Sequence, residues 1–153
     1  MEESWEDLLR LLEHRDLSAA EAQAALQKKG HAKTHAAAAV RRARRLGLLD
    51  DARIAQAVRE RRSQGVQPGI LRVADDLARR GVDERLAQRA IAEVDDASRC
   101  KEALRAYIAR RGRPRDAKEL RRLLSFLARQ GYAEESVWNA LAADGIELPG
   151  ANA

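Results

Sequence analysis

Three stretches of this chain repeat one another: Leu26-Gln-Lys-Lys-Gly30-His31, Leu77-Ala-Arg-Arg-Gly81-Val82 and Leu127-Ala-Arg-Gln-Gly131-Tyr132. Their glycines stand 51 and 50 residues apart, and self-similarity at such a period marks a chain built from stacked supersecondary units. Eight residues before each glycine comes Ala22, Val73 or Leu123, and four before comes Leu26, Leu77 or Leu127, an apolar stripe at helical spacing. Each glycine is therefore expected just past a helix end, where a positive φ costs it little. The register resumes beyond it: Ala39, Ala90 and Ala140, each followed by Val40, Ile91 or Leu141, belong to a second helix.

Start signals agree with this division. Ser18-Ala-Ala-Glu21 is a capping box, Pro68 suits a first helical turn, and Asp83 can cap a helix running to Val94. A leading helix precedes each pair, over about Glu6 to Glu13, Asp51 to Ser63 and Ala97 to Arg111. The expectation is nine short helices in three units, 1–47, 48–96 and 97–146, with a tail at 147–153. Gly65-Val-Gln-Pro-Gly69 and Gly112-Arg-Pro-Arg115 read as turns inside the second and third units.

Composition fixes the class. There are 31 alanines against five aromatic residues, and no β-branched runs, so helices are favoured and strands are not. With so few bulky side chains each core must be thin, and the chain is read as all-α, an elongated array of three-helix repeats that stacking can curve. No apolar run approaches the roughly 18 residues of a membrane span. Cys100 has no partner for a disulfide, and Met1 to Trp5 lacks a basic region leading into an apolar stretch, which points to a reducing, cytoplasmic location with no membrane partner.

The net charge of +5 conceals a sharp division. Residues 28–80 carry +9 and residues 99–129 carry +8, whereas 1–27, 81–98 and 130–153 carry −5, −3 and −4. Arginine outnumbers lysine by 24 to 5, and its planar fork suits phosphates and carboxylates alike. A polyanion or an acidic protein surface is the partner this pattern fits. The candidate contact residues are Arg41, Arg42, Arg44 and Arg45; Arg61 and Arg62; Arg72, Arg79 and Arg80; Arg110, Arg111, Arg113 and Arg115; and Arg121 and Arg122. Arg110 to Arg115 is expected to be the freest, because its glycine and proline place side chains on a loop.

Catalytic and metal-binding signatures are missing from the sequence. Asp50-Asp51, Asp75-Asp76 and Asp95-Asp96 are adjacent pairs whose side chains diverge on a helix, and Asp50 or Asp51 reads as a cap. His31 and His35 are four apart without a glutamate between them or a third ligand, and Cys100 has no paired histidine. No phosphate-binding Gly-Lys-Ser/Thr loop or nucleophile elbow is found. No cofactor or metal is expected. The aromatics do not alternate with basic residues along the chain, so the sequence shows no base-stacking platform, and Phe126, Tyr132 and Trp138 read as core anchors.

Order and spacing together resemble one family. Arg15-Asp-Leu-Ser18-Ala-Ala-Glu21, Leu26 to Gly30, Gly47-Leu-Leu-Asp-Asp51-Ala-Arg53-Ile54-Ala55 and Arg121-Arg-Leu-Leu-Ser-Phe126-Leu-Ala-Arg-Gln-Gly131-Tyr132 are similar to segments of the RecX family of bacterial recombinase regulators. The resemblance implies a monomeric, non-enzymatic regulator of recombination and DNA repair. It would bind the RecA filament on single-stranded DNA and reduce its ATPase and strand-exchange activity, with duplex DNA as a further ligand. The alternative is a stand-alone DNA-binding protein of helix-turn-helix-like modules, although none of the candidate recognition helices concentrates base-reading polar side chains.

Overall fold

The computed structural model describes residues 2–148. Their regular structure is nine helices: α1 Glu2–His14, α2 Ala19–Lys28, α3 Lys33–Arg45, α4 Asp51–Glu60, α5 Ile70–Arg79, α6 Glu84–Ala92, α7 Asp96–Arg111, α8 Ala117–Gln130 and α9 Glu134–Ala143. The protein is all-α. Of the tail expected at 147–153, positions 149–153 lie outside the described residues.

The chain forms two compact units. One holds the chain up to Val58 together with Asp76–Ala90; the other holds Arg59–Asp75 and the chain from Ile91 onward. In the first unit Leu8, Leu17, Ala22, Leu26, Ala36, Ala39, Val40, Ala43 and Leu49 form a core in which four of nine residues are alanine. Helices α1 to α3 pack closely because those alanines leave little side chain between them. The second unit has larger fillings: Leu104, Leu120, Leu123, Phe126, Leu127, Tyr132 and Leu141 surround Cys100 and Ala103.

The repeated glycines end helices as expected. Gly30, Gly81 and Gly131 have φ of +102°, +65° and +90°. In each case the following amide reaches back to the leucine four residues before the glycine: His31 to Leu26, Val82 to Leu77 and Tyr132 to Leu127. That satisfies carbonyls a helix end would otherwise leave open.

Boundaries differ in places. Helix α1 begins at Glu2, four residues before the expected start, and α4 stops at Glu60 because Arg62, Ser63 and Gly65 make a tight turn closed by Ser63 and Val66. Pro68 precedes the helix: α5 starts at Ile70, with the Gly69 carbonyl accepting its first bond from Val73. Trp138 is not a core anchor. It is 42% exposed, and its indole N–H donates to Glu134 one turn earlier, while Phe126 and Tyr132 are buried.

Candidate functional site

Two of the three aspartate pairs, Asp50-Asp51 and Asp95-Asp96, are joints. Asp50 accepts from Ala52 N and Asp95 from Ser98 N, each capping its own helix. Their neighbours do something less local. Asp51 accepts Ala19 N on one carboxylate oxygen at 2.9 Å and Asp83 N on the other at 3.0 Å, so one side chain joins the starts of α2, α4 and α6. Asp96 repeats this in the second unit with Ile70 N at 2.8 Å and Ala133 N at 2.9 Å. Both carboxylates spend their acceptors on otherwise unpaired helix-start amides.

His31 Nδ1 hydrogen-bonds Ser4 Oγ at 3.0 Å, and its Nε2–H donates to Asp7 Oδ2 at 2.7 Å. The residue types are those of a hydrolytic triad, yet Ser4 is only 1% exposed and offers a substrate no approach. The trio ties α1 to the turn between α2 and α3. Its hydrogen bond to His31 is the main influence holding the Asp7 carboxyl below its ordinary range. Cys100 is fully buried, and burial followed by the nearby Asp96 charge pushes its thiol up to about 12, which makes it unreactive. Among the described residues no group of three or more His, Cys, Asp or Glu is arranged to hold a metal ion.

The arginines fall into distinct settings. On α3, Arg41, Arg44 and Arg45 are exposed around buried Ala43, while the Arg42 guanidinium lies 4.1 Å from the centre of the Trp5 ring. Arg80 is taken up internally, with Glu21 Oε1 at 2.9 Å and the Asp16 carbonyl at 3.0 Å. Arg72 donates to Gln130, Arg79 pairs with Asp76, and Arg62 donates to the Gly65 carbonyl. Arg61 is exposed.

The segment from Arg110 to Arg115 is less free than a loop reading implies. Arg113 grips Asp144 through both its carboxylate, at 2.9 Å, and its carbonyl, at 2.6 Å. Arg115 pairs with Glu119, and that hydrogen bond leads the causes that hold the Glu119 carboxyl below its usual range. Gly112 and Pro114 bend the chain so that these two guanidiniums turn back onto the protein's own acids.

Arg110 and Arg111 instead stand at one end of an open groove of about 710 Å³ in the second unit. Its walls carry Arg110 and Arg111 from α7 and Lys118, Arg121, Arg122 and Arg129 from α8, with Gln64, Ser125, Tyr107 and Phe126 completing the lining. No acid lines it. Among the described residues none of these six cations has an ion-pair partner. Arg110 donates to the Gln64 carbonyl at 2.7 Å, and the Arg111 guanidinium stands 5.7 Å from the Tyr107 ring centre. The two rings of the lining lie 5.2 Å apart at 37°.

Helix α8 makes the groove possible by its two faces. Leu120, Leu123, Phe126, Leu127 and Gln130 are buried, and Lys118, Arg122, Ser125 and Arg129 recur at four, three and four residues along the opposite side. Lys118, Arg129, Tyr107 and Phe126 are missing from the arginine clusters picked out in the sequence. The first two were visible as that 4-3-4 spacing. The aromatic lining was not, because Tyr107 and the basic face of α8 are brought together only by the α7–α8 hairpin.

The chain matches no family model. It is 36% identical over 146 residues to the regulatory protein RecX of Mycolicibacterium vanbaalenii, covering 89% of this chain and 79% of that protein. Identity to the regulatory protein RecX of Chromohalobacter salexigens is also 36%, over 140 residues and 90% of both chains. The crystal structure of RecX from Lactobacillus salivarius matches with a TM-score of 0.75 over 95% of this chain and 97% of that one; at 13% identity this shows a shared fold.

Proposed function

This chain belongs to the RecX family of regulatory proteins, and on that premise we propose that it acts by binding the RecA filament on single-stranded DNA, lowering its ATP hydrolysis and strand exchange. The action is stoichiometric binding rather than catalysis, through three three-helix repeats, α1–α3, α4–α6 and α7–α9. The observation that carries this reading is the acid-free basic groove between α7 and α8. Six cations without ion-pair partners repel one another at rest, and a polyanion relieves that repulsion when it docks. A filament offers such charge as DNA phosphates and as acidic side chains.

The test is ATP hydrolysis by preformed RecA filaments titrated with wild-type protein and with the variant Lys118→Glu, Arg121→Glu, Arg122→Glu, Arg129→Glu. All four side chains are exposed and can be reversed without burying charge. Each lost contact costs on the order of 1 kcal/mol or more, so the inhibition midpoint should rise at least tenfold. Reversing exposed Glu135 should change little, and added salt should weaken the wild type because phosphate contacts release counterions. Equal inhibition by wild type and variant would move docking off the groove. No inhibition by the wild type, with duplex binding retained, would favour the stand-alone DNA-binding alternative.

A further inference from the structure

We propose that the α7–α8 groove is a site selective for single-stranded over duplex DNA, in which phosphates lie along the α8 cations and one unstacked base rests on Tyr107. The proposal deepens the filament-binding reading and rests on it for the choice of DNA as the ligand.

Charge alone would serve an acidic protein or either form of DNA. What narrows the choice is the aromatic lining. Tyr107 is half-buried, packed against Phe126 at 5.2 Å, so its ring is held in place rather than free to fold away. A carboxylate side chain gains nothing from such a surface, whereas every base has a flat face to lay on it. In a duplex those faces are already stacked inside the helix and unavailable to a side chain on the protein surface. Arg111, exposed at the helix end, lies over the Tyr107 ring with its guanidinium 5.7 Å from the ring centre; a base inserted there takes its place against the ring, and Arg111 moves out to cover the outer face of that base.

The cations are set out to follow a strand. Lys118 and Arg129 are eleven residues apart on one face of α8, a run of about 16 Å at the helical rise. That length accommodates several successive phosphates, and Arg122 and Ser125 lie between its ends.

Fluorescence anisotropy on the full chain tests this with three probes of equal length: a dT oligonucleotide, the same strand with its bases removed, and a duplex. The dT strand should bind about tenfold tighter than the abasic strand, within the range of one stacked base, and more tightly than the duplex. Tyr107→Leu keeps an apolar side chain against Phe126 but removes the flat ring; it should bring dT down to the abasic affinity and leave the abasic affinity unchanged. Tyr107→Phe should behave as wild type. Arg122→Ala should weaken the dT and abasic strands alike. Equal binding of dT and abasic strands by the wild type, a duplex bound as tightly as dT, or an equal loss for both strands in Tyr107→Leu would each overturn the proposal. In those cases inhibition of the RecA ATPase would still stand or fall separately, because that assay reads docking on the filament and not base stacking.

Discussion

The two units contain the same joint built with different chemistry. In the first, the start of α2 meets the end of α5: Ser18 Oγ donates to the Arg80 carbonyl, and Arg80 in turn grips Glu21 with two nitrogens. In the second, the start of α5 meets the end of α8: Gly69 N donates to the Gln130 carbonyl at 2.7 Å and Leu71 N to the Gly131 carbonyl at 2.9 Å. Arg72 then meets Gln130 where Glu21 meets Arg80. The ion pair with a capping serine has become direct backbone bonding with a buried amide. What the repeat preserves is the approach of one helix start to one helix end, and the side chains that secure it are exchangeable.

The closeness of that approach differs, and this gives the largest expected effect. A Cβ on Gly131 would lie 2.3 Å from Arg72 Cβ and 2.5 Å from Arg72 N. Those atoms belong to the first turn of α5 and cannot yield without breaking the Leu71 bond. Gly131→Ala should therefore cost about 4 kcal/mol, from overlap plus positive-φ strain. In the first joint a Cβ on Gly81 would meet Ala20 Cβ at 2.8 Å, a single methyl contact, at a φ of +65° that alanine tolerates better. Gly81→Ala should cost about 2 kcal/mol. Urea unfolding followed in single-tryptophan variants separates the two, since Trp5 lies in the first unit and Trp138 in the second. Equal losses would show that the joints are equally tight, contrary to the geometry.

These joints also mark the limit of what the sequence made legible. The three glycines, their preceding leucines and the Ser18 capping box could be read from spacing, because each signals a local backbone requirement, and the helices they bound lie within a few residues of expectation. The second duty of Gly81 and Gly131 could not, since nothing local distinguishes a glycine needed for φ from one needed for approach. The same holds for Asp51 and Asp96, which read as helix starts but hold two distant amides each. For the candidate site, the charge blocks identified Arg110, Arg111, Arg121 and Arg122. They could not tell these from Arg113 and Arg115, whose acids are supplied by the start of α8 and by the residue just after α9.

Gly30 is the control within the repeat. It has the same backbone role at φ +102°, but an added Cβ meets nothing within 4 Å. Gly30→Ala should therefore cost only the conformational strain, about 1–2 kcal/mol. A loss matching that of Gly131→Ala would mean that φ alone explains all three glycines and that packing at the joints contributes little.

The smallest effect distinguishes the joints by chemistry. Burial pushes the Glu21 carboxyl upward, but the Arg80 hydrogen bonds and the Ser18 amide outweigh it, so its pKa is lowered from 4.5. A carboxylate lowered on folding adds stability that is fully present above its unfolded value and is lost as pH falls through the folded one. The first unit should accordingly lose up to about 1 kcal/mol from this pair on acidification below 4.5, whereas the Arg72–Gln130 pair has no proton to take up. Glu21→Gln should remove that part of the acid dependence while leaving the contribution of Asp7, which has its own lowered carboxyl. The measurement is the melting temperature of wild type and Glu21→Gln between neutral pH and the acid range, read through Trp5. If the two curves stay parallel throughout, the Glu21–Arg80 pair contributes no net charge stabilisation, and the two joints are alike in energy despite their different side chains.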